Sequence, residues 1–337
     1  MSAHGNDDGG LGPAVLQLVS GYQEPAALVA ACRIGLFDAL ADDPADADAL
    51  AAGLAVDAGG LRSLLDTLVV AGLVARGPAG YSAAAEVRAR LGREGDLTRI
   101  VHKESVFARV WLDLDETLRT GTPRMAPWAH RLASEPDVAR SFLEALCVIA
   151  ETMGPDLTGL PLFAPPVRVV DVGGGLGTHA RPLAAAGAAV TLVDLPPVAG
   201  WAADAAAGWG LPPDVPPVEV VGADVVADRS CGVEPGSADV VLVSHVVHDL
   251  VDTEARTVLT QAAVAARPGG RVVVVEIPGD AGPVAVGPLF GLMMRVETPG
   301  RARPVAELVE LMAAAGLTAI ERAPYADPVA VLVGIKP

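Results

Sequence analysis

The chain has 337 residues, 51% of them hydrophobic and only 4% aromatic, with 37 Gly and 28 Pro. That length suits two domains with cores of their own and excludes a small disulfide-stapled scaffold. The 41 acidic residues against 24 basic ones give a formal charge of −17, which repels phosphate backbones and anionic lipid, so no nucleic acid and no membrane is expected as a partner.

The N-terminus, MSAHGNDDGGLG, is polar and acidic and unlike a leader peptide, so a frayed first dozen residues is expected. From Pro13 to about Leu40, apolar residues recur at near-helical spacing around Gly21 and Pro25 and predict two helices. Cys32, Cys147 and Cys231 are far apart and match no disulfide or metal spacing, which fits buried thiols in a reducing, cytoplasmic setting. No run reaches the roughly 18 to 20 apolar residues that span a bilayer.

The stretch from Ala45 to Ala84 reads as a helix, a turn, a helix over Leu61–Ala71 and two short strands about Gly77-Pro78, the order of a winged helix. Its second helix offers Arg62 as its cation beside Asp66, so packing or dimerisation is expected rather than DNA binding. Residues from about Val101 to Leu157 read as helical. There Phe142, Leu146, Ile149 and Met153 fall on one face, expected to be core before substrate wall.

Near Pro161–Pro166 the composition shifts. Val167–Val172, Val190–Leu195, Val218–Val221, Asp239–Ser244 and Arg271–Ile277 read as Val-rich strands buried on both faces, separated mostly by helices such as Thr253–Ala266 and Val305–Ala315. This is an open, doubly wound, Rossmann-like α/β parallel sheet with its ligand crevice at the carboxyl ends of the strands.

After the first of these strands comes Asp171-Val-Gly-Gly-Gly-Leu-Gly-Thr-His, a glycine loop that brings backbone close to a ligand and opens a helix. Gly175, Gly177 and Ala180 also satisfy the loose dinucleotide pattern G-x-G-x-x-A. However, Asp171 would repel a pyrophosphate and instead suits an amine or cation. Asp194 closes the second strand, where a ribose would present hydroxyls, and Asp224 follows the third, where an adenine amine would lie. Three acids at successive strand ends suit a phosphate-free nucleoside with a positive centre, such as S-adenosylmethionine.

Nearly the whole chain resembles the S-adenosylmethionine-dependent small-molecule O-methyltransferases of the caffeate and acetylserotonin type, including bacterial natural-product enzymes. The segments carrying this are ALVAACRIGLFDALADD, GGLRSLLDTLVVAGLV, VVDVGGGLGTHA, VDLPPV, GADVV, VLVSHVVHDL and RPGGRVVVVEIP. The resemblance implies a helical, winged-helix dimerisation domain over residues 1–105, connecting helices lining an acceptor pocket over 106–160, and the cofactor-binding domain over 161–337. It implies a homodimer, a small-molecule acceptor, and S-adenosylhomocysteine as the spent cofactor.

Residue by residue, the resemblance puts Asp171, Gly173, Gly175, Gly177, Asp194, Leu195, Asp224, Val225 and Ser244 at the cofactor. His248 becomes the general base, with Glu276 orienting it and Asp249 beside it. Trp111, Phe142, Met153, Phe290 and Met294 become acceptor-lining candidates, alongside Phe107, Trp128 and Met293. A neutral imidazole suits removal of a phenolic proton near pH 7. Glu297, Arg295 and Arg301 lie near the same loop without an assigned place, and His102 and His179 read as solvated or core residues.

Three departures stand out. Ala302 occupies the place of a second acid, Ser244 that of a basic residue, and Leu250 that of a tryptophan. They keep open a second expectation: a cofactor-retaining member that catalyses hydroxylation, decarboxylation or a rearrangement. His245 and His248, three apart, raise a metal site, but with no further ligand clustered nearby in sequence none is expected.

Overall fold

The computed structural model describes residues 10–282, 286–325 and 328–337, divided into two compact units, Met1–Ala108 and Arg109–Pro337. The first nine residues of the expected frayed terminus lie outside the described residues; helix begins at Leu11.

The first unit contains α1 (Leu11–Ser20), α2 (Gln23–Ile34), α3 (Leu36–Ala39), α4 (Ala47–Leu54), α5 (Ala58–Val70), the strands β1 (Ala75–Gly77) and β2 (Gly80–Ser82), and α6 (Ala85–Leu91). Its last helix, α7 (Asp96–Trp111), runs past the division between the units. Asp46 and Asp57 cap α4 and α5 by accepting hydrogen bonds from first-turn backbone N–H groups, which accounts for where those helices begin. Leu36, Phe37, Leu61, Leu65, Leu68 and Tyr81 fill the core. The helix–helix–hairpin order is the one read from the sequence. By contrast α1 buries none of its residues, and Leu11, Leu16 and Leu18 stand exposed along it.

The second unit continues with α8 (Leu114–Thr120), α9 (Trp128–Ser134) and α10 (Pro136–Met153). The expected core stripe on α10 is corrected: the buried residues are Ala139, Ala145 and Val148, whereas Leu146 and Met153 are exposed. Small residues mark the face that packs, and the longer side chains stand beside it.

The sheet follows: β3 (Arg168–Val172), α11 (Ala180–Ala185), β4 (Ala189–Asp194), α12 (Pro196–Ala207), β5 (Glu219–Gly222), β6 (Ala238–Ser244), α13 (Asp252–Ala265), β7 (Ala266–Glu276), α14 (Val286–Glu297), α15 (Val305–Ala314), β8 (Thr318–Arg322) and β9 (Ala330–Ile335). Strand order is β5-β4-β3-β6-β7-β9-β8. Pairing is parallel from β5 through β7, while β9 runs antiparallel to both of its neighbours. The sequence reading of a parallel sheet did not extend to β8 and β9. Only seven residues join them, too few for a crossover helix, so β9 must return against its neighbours.

Successive β3 residues enter opposite cores, Val169 with α11 and Val170 and Val172 with α13 and α15. Both faces are covered, which is why these strands read as unbroken valine runs. Order reverses between β3 and β6, the switch point beyond whose strand ends an open α/β sheet binds its ligand.

Candidate active site

Asp171, Asp194, Ser244 and Glu276 all lie at carboxyl ends of strands, of β3, β4, β6 and β7 respectively. After Asp171 the loop takes positive φ at Gly173, Gly175 and Gly177 (68°, 56° and 90°), where other residues would be strained. At Gly177 a Cβ would also collide with the Trp209 ring, so this turn has room for backbone alone. Both oxygens of Asp194 tie the loop in place, Oδ2 accepting from Gly175 N at 2.8 Å and Oδ1 from Leu195 N at 2.7 Å. Asp224 Oδ1 accepts from Val226 N and Ala227 N, and Val225 is buried beside it.

Asp171 is 1% exposed, and its Oδ2 is buried without a hydrogen-bond partner. Burial, aided by nearby Asp194, pushes its carboxyl up to about 7. Burial likewise raises Asp194 to about 6, against the two backbone donors that favour its charge. Two carboxyls held uncomfortably, one with an orphaned oxygen, fit an amine- and hydroxyl-bearing ligand and oppose a pyrophosphate.

The pH dependence of cofactor binding follows. Only the ionised carboxylates attract a cation, so S-adenosylmethionine affinity should fall as pH drops below about 7. Calorimetry near that pH in buffers of different ionisation enthalpy should detect proton release on binding. Affinity that is flat from pH 8 to 5.5 contradicts this account.

Beyond β6, His245 takes φ +54°, a conformation uncommon for non-glycine residues, while its N–H still bonds Val275 O. That twist sends the chain into the short 3-10 turn Val247–Asp249 lying over the end of β7. There Glu276, 2% exposed, accepts three hydrogen bonds. Oε1 takes Val247 N at 2.8 Å and His248 N at 3.3 Å, and Oε2 lies 2.5 Å from His248 Nδ1.

Burial disfavours the His248 cation, but Glu276 and then Asp249 outweigh it and raise the imidazole to about 9. Burial also works against the Glu276 charge, and the imidazolium overcomes it and holds the carboxyl below its usual range. The two form a buried ion pair. Asp249 Oδ1 stands 3.6 Å from His248 Nε2 on a half-exposed side chain, and Phe290 meets the imidazole edge-on at 5.0 Å.

Two features of this corner were not legible in the sequence. Arg303, 2% exposed, donates from Nη1 to Val247 O at 2.6 Å and from Nη2 to Leu250 O at 2.9 Å, gripping the turn on both sides of His248. A Cβ on Gly300 would overlap the His248 carbonyl oxygen, so the strand of chain behind the turn must be glycine there. The GRARP segment bears neutral Ala302 in its middle, yet it still supports the Val247–Asp249 turn from behind.

The tertiary structure also supplies what the spacing of His245 and His248 lacked, since ligand atoms of His245, His248 and Glu276 lie within 4.8 Å of one another. Even so, two ligands of one tetrahedral zinc sit roughly 3.3 Å apart at usual bond lengths. The 2.5 Å between Nδ1 and Oε2 is instead a hydrogen-bond distance.

Among the acceptor-lining candidates, Phe142 and Trp128 pair at 5.8 Å between ring centroids, and Phe290 lies on His248. Met294 is 2% exposed and offers a ligand no surface; Met153 is 71% exposed at the last residue of α10. Trp111, half-buried, ends α7. His179 proves structured rather than solvated, its Nε2 lying 3.0 Å from Ser244 Oγ, with burial pushing its pKa down to about 4. None of the three cysteines forms a disulfide; Cys32 and Cys231 are buried and Cys147 is half-buried. No helix among the described residues is long and apolar enough to cross a membrane.

Comparison with known proteins identifies the family. Residues 119–318 match the family described as O-methyltransferase domain, and residues 16–89 match the O-methyltransferase dimerisation domain. The chain is 32% identical over 346 residues to acetylserotonin O-methyltransferase of Mus musculus, covering 93% of this chain and 86% of that one. It is 29% identical over 333 residues to 3-hydroxy-5-methyl-1-naphthoate 3-O-methyltransferase of Streptomyces sahachiroi, covering 95% and 94%.

The solved structure of PigF with SAH superposes with a TM-score of 0.83 at 25% identity, covering 97% of this chain and 99% of that one. The mitomycin 7-O-methyltransferase MmcR shares the fold, with a TM-score of 0.82 at 24% identity over 96% and 97%. These relatives favour methyl transfer over the non-methylating alternative. The chain therefore belongs to the O-methyltransferase family and is an enzyme that uses S-adenosylmethionine to methylate a hydroxyl group.

Proposed function

We propose that the acceptor is a small, flat, natural-product-like molecule whose hydroxyl is deprotonated by His248. Relatives named for acetylserotonin and for 3-hydroxy-5-methyl-1-naphthoate support an acceptor of this kind. The observation that carries the reading is the 2.5 Å contact between His248 Nδ1 and Glu276, which commits Nδ1 to the carboxylate and leaves Nε2, 3.6 Å from Asp249 Oδ1, as the nitrogen that would meet the acceptor.

When bound, S-adenosylmethionine supplies a methyl group on a positively charged sulfur that departs neutral. The glycine loop with Asp171, Asp194, Leu195, Asp224, Val225 and Ser244 holds that molecule at the strand ends. Phe142 and Phe290 present ring faces and edges to a flat acceptor. His248 Nε2 would take the proton of the acceptor hydroxyl, whose oxygen would receive the methyl group that the bound cofactor supplies. Glu276 and Asp249 then stabilise the resulting imidazolium. Alignment is the rest of the catalysis, because a displacement in line needs the oxygen held behind the methyl carbon.

In this reading residues 1–105 make a homodimer, 106–160 connect, and 161–337 carry the cofactor. The dimerisation-domain match supports the first assignment. The test is a screen of hydroxylated aromatic acceptors followed by mass spectrometry. Methylated product and S-adenosylhomocysteine should rise one for one. Product altered by any mass other than a methyl group, or S-adenosylmethionine left unconsumed, would overturn the reading.

A further inference from the structure

Arg131 lies one helical turn after Trp128 on α9, with its guanidinium over two rings, 4.6 Å from the Trp128 centroid and 5.3 Å from that of Phe142. Its Nη2 is 3.5 Å from Glu297 Oε1, a long ion pair between side chains only 13% and 7% exposed. The two residues are bound electrostatically to the base corner as well. Glu297 is among the charges that favour the His248 cation, and Arg131 among those that favour the Asp249 anion.

One atom of this cluster is unsatisfied. Arg131 Nε is buried and has no hydrogen-bond partner. A guanidinium N–H shut away from water without an acceptor is costly, and its position beside the candidate acceptor rings suggests what completes it. We infer that Arg131 Nε recognises a neutral carbonyl oxygen carried on the ring of the acceptor. This rests on the reading that the acceptor lies against His248 and the Phe142 ring.

Charge counting selects a carbonyl over a carboxylate. Arg131 faces Glu297, His248 faces Glu276, and Asp249 is a third acid 3.6 Å from His248 Nε2. Three acids against two cations leave no spare positive charge, and a bound sulfonium does no more than balance them. A carboxylate on the acceptor would add a further anion beside these acids, whereas a ketone or quinone oxygen accepts from the unpaired Arg131 Nε–H and adds none.

The experiment is calorimetric titration of protein saturated with S-adenosylhomocysteine, using three probes of similar size: 5-hydroxy-1-tetralone, 5,6,7,8-tetrahydro-1-naphthol and 5-hydroxy-1-naphthoate. The ketone should bind at least about tenfold tighter than the carbonyl-free phenol, and the naphthoate no tighter than that phenol. Arg131→Met should bring the ratio of ketone to phenol affinity down to about one, with the affinity for S-adenosylhomocysteine unchanged. Arg131→Lys should not restore the preference, because the fixed Nε–H is missing.

Equal binding of ketone and phenol, failure of the ketone to bind, tighter binding of the naphthoate, or a preference surviving in Arg131→Met would each overturn the assignment. Should Arg131→Met lose S-adenosylhomocysteine binding through misfolding, the three probes on the unaltered protein decide by themselves. Failure of the base assignment is read separately, as methyl transfer that does not depend on His248.

Discussion

Replacing His248 by Ala should cut turnover at least about tenfold to a hundredfold while leaving cofactor affinity intact, because the side chain acts on the acceptor proton and no cofactor-holding residue depends on it. The substitution also strands Glu276, 2% exposed, without its cation. Breaking a buried pair by removing one partner typically costs about 3–5 kcal/mol, reduced here by the two backbone N–H groups that Glu276 retains.

His248→Asn is the companion variant, since its amide can still donate toward the carboxylate but cannot take a proton near neutral pH. Single-turnover methyl transfer, with S-adenosylhomocysteine binding as the control, separates the effects. If both variants bind cofactor and turn over at the normal rate, His248 is not the base.

Glu276→Gln should be as damaging as loss of the histidine, for a different reason. The carboxylate accepts from Nδ1 through Oε2 while Oε1 takes two backbone N–H groups, so a glutamine must place its NH2 opposite Nδ1. The imidazole then moves its proton to Nε2, the tautomer that cannot accept one from the acceptor, and a loss of about a hundredfold or more is expected.

The pH profile gives the second readout. His248 must be neutral to act, and in the unaltered, cofactor-free enzyme it is raised to about 9, so kcat/KM should climb with pH toward that value. Without the Glu276 charge, the residual rising limb should move to lower pH. A limb that stays in place would mean that the titrating group is not this histidine.

The same pair fixes the sign of a stability effect. A histidine whose folded pKa lies above its unfolded value contributes stability that is fully present below about 6.5 and fades as pH rises through about 9. Melting temperature should therefore decline between those values in the unaltered protein and decline less in Glu276→Gln.

Features made of neighbouring residues could be read from the amino-acid order alone. Valine runs announced β3 to β7, although the edge strand β5 is not buried on both faces as expected because only β4 pairs with it, and the turns about α4, α5 and the β1–β2 hairpin are local chemistry written in a few adjacent residues. The glycine loop and the acids closing β3 and β4 were equally legible, since strand, acid and turn are contiguous. His248 and Glu276 could be paired through the family resemblance, because each ends a recognisable segment.

What depends on residues far apart in the chain was decided only by the tertiary structure. His248 and Glu276, 28 positions apart, close to a 2.5 Å contact because β6 and β7 are parallel neighbours with their ends aligned. Arg303 reaches Val247 across 56 residues, and Arg131 meets Glu297 from a different helix, so neither partnership leaves a periodic trace.

On α10 the face that packs was misjudged because periodicity groups side chains without saying what lies opposite them: small Ala139 and Ala145 are covered, and large Met153 is not. The run of β9 against its neighbours has the same origin. A strand pattern fixes burial and length, while direction is set by the link that returns the chain and the vacant edge it pairs with.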